Sequence, residues 1–360
     1  MTGTPGGHGA TATRWRRITV VVILAAGLAA IIITNEHILL ESLHTLAHLN
    51  WWWVLAALVA EAISLTAFGI SRVILLRAEG DQATLGTVMS ITYAGNALSM
   101  AVPFAGAQLA AVFSYKQLRG RGLGSAITSW ALAVSAIVSS AALALVLLVG
   151  AFAAGQPGAT LAGLLGAAVF LVPGVTVLLA LRYRAARAWI HRALAVLLRP
   201  LHRRWGKSWM NPAALEEFLD RVASISLPGT RYALVFALAL VNWLADCGCL
   251  ACSILATGRP VPWDGLLLAY GAGAAVGSSG LSPGGFALVE IALTAALTAA
   301  GMTASAALAA AIAYRLISFW LILIGGGVSL IVLARRGTDV VAEDPPPPPP
   351  QPATQSPDPG

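Results

Sequence analysis

Residues 263–301 read WDGLLLAYGAGAAVGSSGLSPGGFALVEIALTAALTAAG. The run is apolar, but Gly277, Gly280, Pro283, Gly284 and Gly285 interrupt it. Proline removes a backbone donor, and glycine in a helix interior carries an entropic penalty. The stretch therefore predicts a helical hairpin that enters an apolar medium and returns, with at least one short arm. Broken backbone at membrane depth is tolerable only inside protein or beside a water-filled cavity. Residues 85–115 read the same way, broken by Gly95, Pro103 and Gly106. They fall short of two full spans at ~20 residues each.

Composition names the medium. Of 360 residues, 58% are hydrophobic and only 10% charged, and the mean hydropathy is +0.80. A soluble domain usually carries about 25% charged residues. This chain has too little polar surface to cover itself in water, so a soluble multidomain enzyme is excluded. Apolar runs at residues 15–33, 51–70, 124–149, 161–181, 232–256 and 305–333 are near the ~20 residues that a spanning helix needs. The expected fold is all-α: a polytopic membrane protein of about six full spans plus the two hairpins. The first run follows Arg14, Arg16 and Arg17, and Thr34-Asn35-Glu36-His37 offers no small-x-small cleavage site, so it reads as a retained span. Trp51, Trp52 and Trp53 form an aromatic belt at the second.

The basic residues orient the layout. With the N-terminus in the cytoplasm, 20 of the 22 Lys and Arg fall inside, Arg259 falls outside, and Arg315 lies within a span. Arg72 and Arg77 are assigned to an inner loop, as are Lys116, Arg119 and Arg121. That asymmetry predicts both termini inside a cell (inner) membrane, with the hairpin mouths on opposite sides. Residues 182–207 hold Arg182, Arg184, Arg187, Arg192, Arg199, Arg203, Arg204 and Lys207 and no acid. Asn211-Pro212 then opens an amphipathic pattern. The segment 182–231 reads as a basic cytoplasmic surface that orients the chain or gathers anionic lipid. Residues 1–14 and the proline-rich 337–360 read as disordered termini, flanking one membrane domain over 15–336.

The two interrupted stretches resemble each other. Each carries a tyrosine (Tyr93, Tyr270), small residues, a proline (Pro103, Pro283), then glycine and a new helix. Entered from opposite sides, they form an inverted repeat, the best sequence pointer to a transporter's binding site. The glycines of residues 271–277 do not follow a strand and miss the dinucleotide spacing; close helix packing or a half-helix break explains them better.

Few charges stand at depth: Glu61, Asp246, Glu290 and Arg315. Each is costly in hydrocarbon unless paired or wetted, and so marks a candidate site. Depth matching across the turn near residues 301–303 makes a Glu290–Arg315 pair feasible. Asn96, Gln108 and Asn242 add neutral hydrogen-bonding groups. Cys247, Cys249 and Cys252 read as small packing residues, with no disulfide framework and no cofactor or metal implied. No Ser/His/Asp set can be assembled, and no Walker motif is present.

Leu240 to Asp246, Pro262-Trp263, Tyr270, Ser282-Pro283-Gly284-Gly285 through Glu290, and Tyr314-Arg315 to Trp320 together resemble the lysylphosphatidylglycerol synthase transmembrane-region family, often called flippase-like. Asn96 to Pro103 is similar to that family's earlier motif. Ala105 and Gln108 stand where many members carry Arg and Glu, which leaves the lipid substrate open. With 24 residues after Arg336, the synthase's soluble aminoacyl-transfer domain has no room. The resemblance thus implies the membrane module alone, with a lipid-translocation role and not lysyl-lipid synthesis.

The expected function is therefore transfer of a lipid or lipid-linked head group between leaflets, with an anionic phospholipid or lipid-linked intermediate as the partner. The cleft would be lined by Arg315, Glu290, Asp246, Tyr314, Asn96, Gln108, Pro103, Gly106, Pro283, Gly284 and Gly285. Alternatives are a non-transporting scaffold or regulatory subunit and, less favoured, an intramembrane enzyme; the lack of a nucleophile–base set argues against the last.

Overall fold

The computed structural model describes residues 46–80, 83–101, 105–155, 157–183, 221–222, 224–279, 282 and 285–341. Among these residues the chain forms nine helices and no strand: α1 (Trp51–Leu76), α2 (Leu85–Ala101), α3 (Gly106–Arg119), α4 (Ser125–Ala153), α5 (Pro157–Arg182), α6 (Gly229–Ala256), α7 (Trp263–Ser278), α8 (Leu288–Ala299) and α9 (Ala304–Val341). Four of them, α1, α4, α6 and α9, are long and apolar enough to cross a membrane. The span expected at 15–33, the basic residues from Arg184 to Lys207, and Pro103, Pro283 and Gly284 lie outside the described residues.

Both interrupted stretches fold as helix–break–helix hairpins, α2–α3 and α7–α8, with arms of 12 to 17 residues. Gly106 is buried at the start of α3, and a Cβ there would collide with the carbonyl of Ser99. Only glycine lets the two arms close on each other at that point. In the second hairpin Gly285 has φ +71° and Ala287, immediately before α8, has φ +65°. An alanine in the left-handed region is held there against its own preference.

Helices α1 and α6 make the most extensive contact in the molecule, and they run antiparallel. The backbone N–H of Asn50 donates to Ala256 O (2.9 Å) at one end, and Ser64 meets Asn242 (3.3 Å) further along. Each hairpin then packs on the helix that follows the other one. The first hairpin's α2 lies on α9, with Gly326 against Tyr93 and Ala97. The second hairpin's α7 lies on α4, with Gly150 against Leu267 and Leu268 and Gly271 against Leu147. This reciprocity, with opening helices of opposite direction, is the inverted repeat that the paired motifs predict. The glycines of α7 serve close approach, as expected: Gly273 faces Leu293 and Gly277 faces Val289.

Two apolar cores form, one at each end. One joins Leu76, Ala83, Leu118, Leu123, Leu227 and Val235; the other joins Ile254, Val261, Leu266, Leu297 and Ala307. The turns and helix ends carrying Arg77, Arg121 and Arg231 thus share one end, and Arg259 sits at the other, matching the sidedness read from charge. Outward residues such as Leu161, Leu165 and Val169 are exposed. In water these would aggregate; in hydrocarbon they face their own solvent.

Three boundaries differ from the sequence reading. Helix α1 runs six residues past Ile70, so Arg72 lies within it and not in a loop. The apolar residues Val73 to Leu76 carry the helix on, and the guanidinium finds partners there: Nη1 donates to Thr92 Oγ1 (3.2 Å) and the group lies over the Phe68 ring (4.4 Å). Helix α3 extends to Arg119, taking Lys116 and Arg119 into its last turn, where cations complement the free carbonyls. Helix α9 continues to Val341, past Arg336 and into the segment expected to be tail.

Candidate functional site

The depth of the site follows from helix geometry. Glu61 is ten residues into α1, about 15 Å from its start at 1.5 Å per residue, near the middle of a hydrocarbon core of ~30 Å. Its side chain is only 2% exposed. Directly across the antiparallel seam, on α6, stands Asp246, within hydrogen-bonding reach of it. One turn on, Ser64 and Asn242 form the neighbouring polar layer. Glu61 and Ser64 are three apart, and Asn242 and Asp246 four apart, so each pair shares one helix face.

Asp246 is the hub. Its Oδ2 accepts from Tyr270 OH (2.7 Å, α7), and its Oδ1 accepts from Tyr314 OH (2.9 Å, α9). Both tyrosines are buried. Tyr270 is fixed further by an edge-on contact with Trp243 (centroids 6.4 Å apart), whose Nε1 donates to Ser139 O (2.8 Å) on α4. One carboxyl thus ties three helices, α6, α7 and α9, by hydrogen bonds, and faces Glu61 on α1.

Beside this hub lies the expected ion pair. Arg315 Nε donates to Glu290 Oε1 at 2.9 Å, with side chains 12% and 16% exposed. Arg315 also lies over the Phe319 ring (4.6 Å) and acts electrostatically on Asp246. Glu290 falls in the first turn of α8, where a carboxylate complements the helix dipole. The cluster therefore combines three carboxyl groups with one guanidinium. Carboxyls that meet away from water repel unless a proton or a cation lies between them.

The cluster is also incompletely satisfied. Seven buried side-chain atoms lack a hydrogen-bond partner among the described residues: Glu61 Oε2, Glu290 Oε2, Thr294 Oγ1, Ser318 Oγ, Ser282 Oγ, Arg72 Nε and Thr128 Oγ1. The first two belong to the cluster; Thr294 is one turn from Glu290 and Ser318 one turn from Arg315. Ser282 sits at the break of the second hairpin. Such atoms cost about 1–3 kcal/mol each unless something polar meets them.

Of the residues picked out from sequence, Asp246, Glu290, Tyr314 and Arg315 come together. Gly106 and Gly285 shape the two hairpin breaks. Asn96 is partly buried on α2 and Gln108 is exposed on α3; neither hydrogen bonds to the cluster. Arg182 ends α5, away from it in sequence and fold. Sequence reasoning missed the partnership of Glu61 with Asp246, the role of Tyr270 as a donor to Asp246, and the partial burial of Arg72. Glu61 did stand out as a charge in an apolar run, and Tyr270 as the counterpart of Tyr93. Cys247 and Cys249 are buried and free, and pack in the core around the hub.

An all-helical, multi-pass membrane protein with a charged cluster between α1, α6, α9 and the second broken hairpin is the class that fold and site define. The chain belongs to the family described as "Lysylphosphatidylglycerol synthase TM region", which matches residues 17–326. No curated protein matches it.

Proposed function

We propose that this protein moves a lipid, or a lipid-linked head group, between the leaflets of its membrane. The observation that carries the reading is the mid-depth cluster with its buried, unpartnered Glu61, Glu290, Thr294 and Ser318 atoms. A merely structural polar network in hydrocarbon gains by satisfying every member; a transit site keeps groups in reserve for the head group. Arg315 is the cation placed to meet a phosphate, and Asp246, Glu61 and Glu290 are placed to meet an amine. Acyl chains would remain in lipid alongside the exposed apolar faces. Membership of a family often called flippase-like supports the same role.

The test is a translocation assay in liposomes of phosphatidylglycerol and phosphatidylcholine, using a head-group-accessible fluorescent phospholipid and a membrane-impermeant quencher. Full-length protein is expected to expose inner-leaflet probe faster than empty liposomes, and Asp246→Asn to abolish the gain while remaining folded. Equal rates with and without protein, across anionic and zwitterionic probes, would sink the proposal and favour a scaffold.

A further inference from the structure

A second group of buried polar atoms lies between α1 and the first hairpin, away from the central cluster. Arg72 is eleven residues beyond Glu61 on α1, about 16 Å along the axis and on nearly the same face. Its described neighbours are mostly apolar, and among the described residues no acid pairs with it. Nη1 donates to Thr92 Oγ1, and Nε is buried without a partner. Arg72, Thr92 and Ser114 line one small cavity between α1, α2, α3 and α4, closed on its other sides by Val88, Leu118 and Leu132. Both hydroxyl residues are almost fully buried. The free interior is about 10 Å³, room for one water or one oxygen atom of a larger anion.

We propose that Arg72, Thr92 and Ser114 form a phosphate-binding site distinct from the central cluster. A guanidinium presents donors in a fixed fork that matches phosphate oxygens, and an unpaired one in an apolar setting needs an anion. Thr92 and Ser114 supply hydroxyls that turn to donate as required. The cavity admits one phosphate oxygen, leaving the ester substituents outside it. Arg72 stands four residues from the end of α1, about 6 Å along the axis, near the level at which phospholipid phosphates lie. A lipid phosphate and free inorganic phosphate share this chemistry.

The experiment measures binding to the purified full-length protein in a neutral detergent, with three probes: dihexanoyl phosphatidylglycerol, inorganic phosphate and uncharged dihexanoylglycerol. Arg72→Gln is expected to weaken the phosphatidylglycerol probe about tenfold, the loss of a charge-assisted hydrogen bond. Arg72→Lys should restore part of it, and Arg259→Gln should change nothing. The same loss in an Asp246→Asn background separates this site from the central one, so either can fail alone. Competition by inorganic phosphate would assign the site to free phosphate; binding of phosphatidylglycerol without that competition assigns it to a phospholipid. Undiminished phosphatidylglycerol binding in folded Arg72→Gln overturns the proposal, as does an equal loss for dihexanoylglycerol, which would mark Arg72 as only a brace between α1 and α2. Should Arg72→Gln not fold, Arg72→Lys with Ser114→Ala carries the test, and no change in phosphatidylglycerol affinity there overturns it equally.

Discussion

Asp246 accepts two phenolic hydroxyls and faces a second carboxyl, Glu61, so each of its neighbours has a separable effect. Tyr270→Phe and Tyr314→Phe each remove one hydrogen bond of about 1 kcal/mol. Each is expected to lower the thermal midpoint modestly, as read by size-exclusion after heating. Together they strip Asp246 of both hydroxyl donors, and the double variant should lose more than the sum. The Glu290–Arg315 pair makes a sharper case. Neutralising one partner leaves a buried charge uncompensated, at about 3–5 kcal/mol. Glu290→Gln and Arg315→Gln should each damage folding or activity, and the double variant should fall well short of additivity in a mutant cycle. Strict additivity would show that the 2.9 Å contact carries no coupling. A charge-swapped pair should fold, yet stay inactive if Arg315 also holds a phosphate. These residues were legible because a charge in an apolar run stands out by its cost. Their partnerships were less so. Glu61 and Asp246 meet across a seam that only the tertiary fold defines, and Arg72 looked like a loop cation because it sits so near the end of its helix.

At the scale of elements, the hairpins depend on their breaks. Gly106→Val places a branched side chain against the Ser99 carbonyl. It is expected to part α2 from α3 and to abolish well-behaved expression, whereas Gly86→Ala, with open space around it, should be silent. At Ala287 the direction reverses. Its φ of +65° costs an L-residue about 1–2 kcal/mol, so Ala287→Gly should raise the thermal midpoint, less the chain entropy that glycine adds to the unfolded state. No rise would mean that the surrounding hairpin relaxes the strain. Glycine and proline punctuation made both hairpins visible in the sequence. Helix ends were not: α1 and α3 continue through basic residues that the loop reading had assigned to solvent, because caps and side-chain partners decide the last turn and hydropathy does not register them.

For the whole molecule, the charge asymmetry and the shared end of Arg77, Arg121 and Arg231 make one topological prediction. In a background lacking the native cysteines, cysteine at Glu79 or Arg121 should label only after permeabilisation, and cysteine at Arg259 from outside. Labelling of all three from one side would overturn the inverted arrangement of the hairpins. The repeat itself was readable from the matched Tyr93 and Tyr270 motifs. Its spatial form, with each hairpin leaning on the helix beyond the other, was not, since no single sequence reports which helices cross.

That mutual leaning is unequal, α2 covering more of α9 than α7 covers of α4, and the other contacts of the two halves differ too. Helix α8 packs on α9 more closely than α3 does on α4, and α6 meets α4 more fully than α1 meets α9. Two halves of similar sequence design therefore hold different shapes at the same moment.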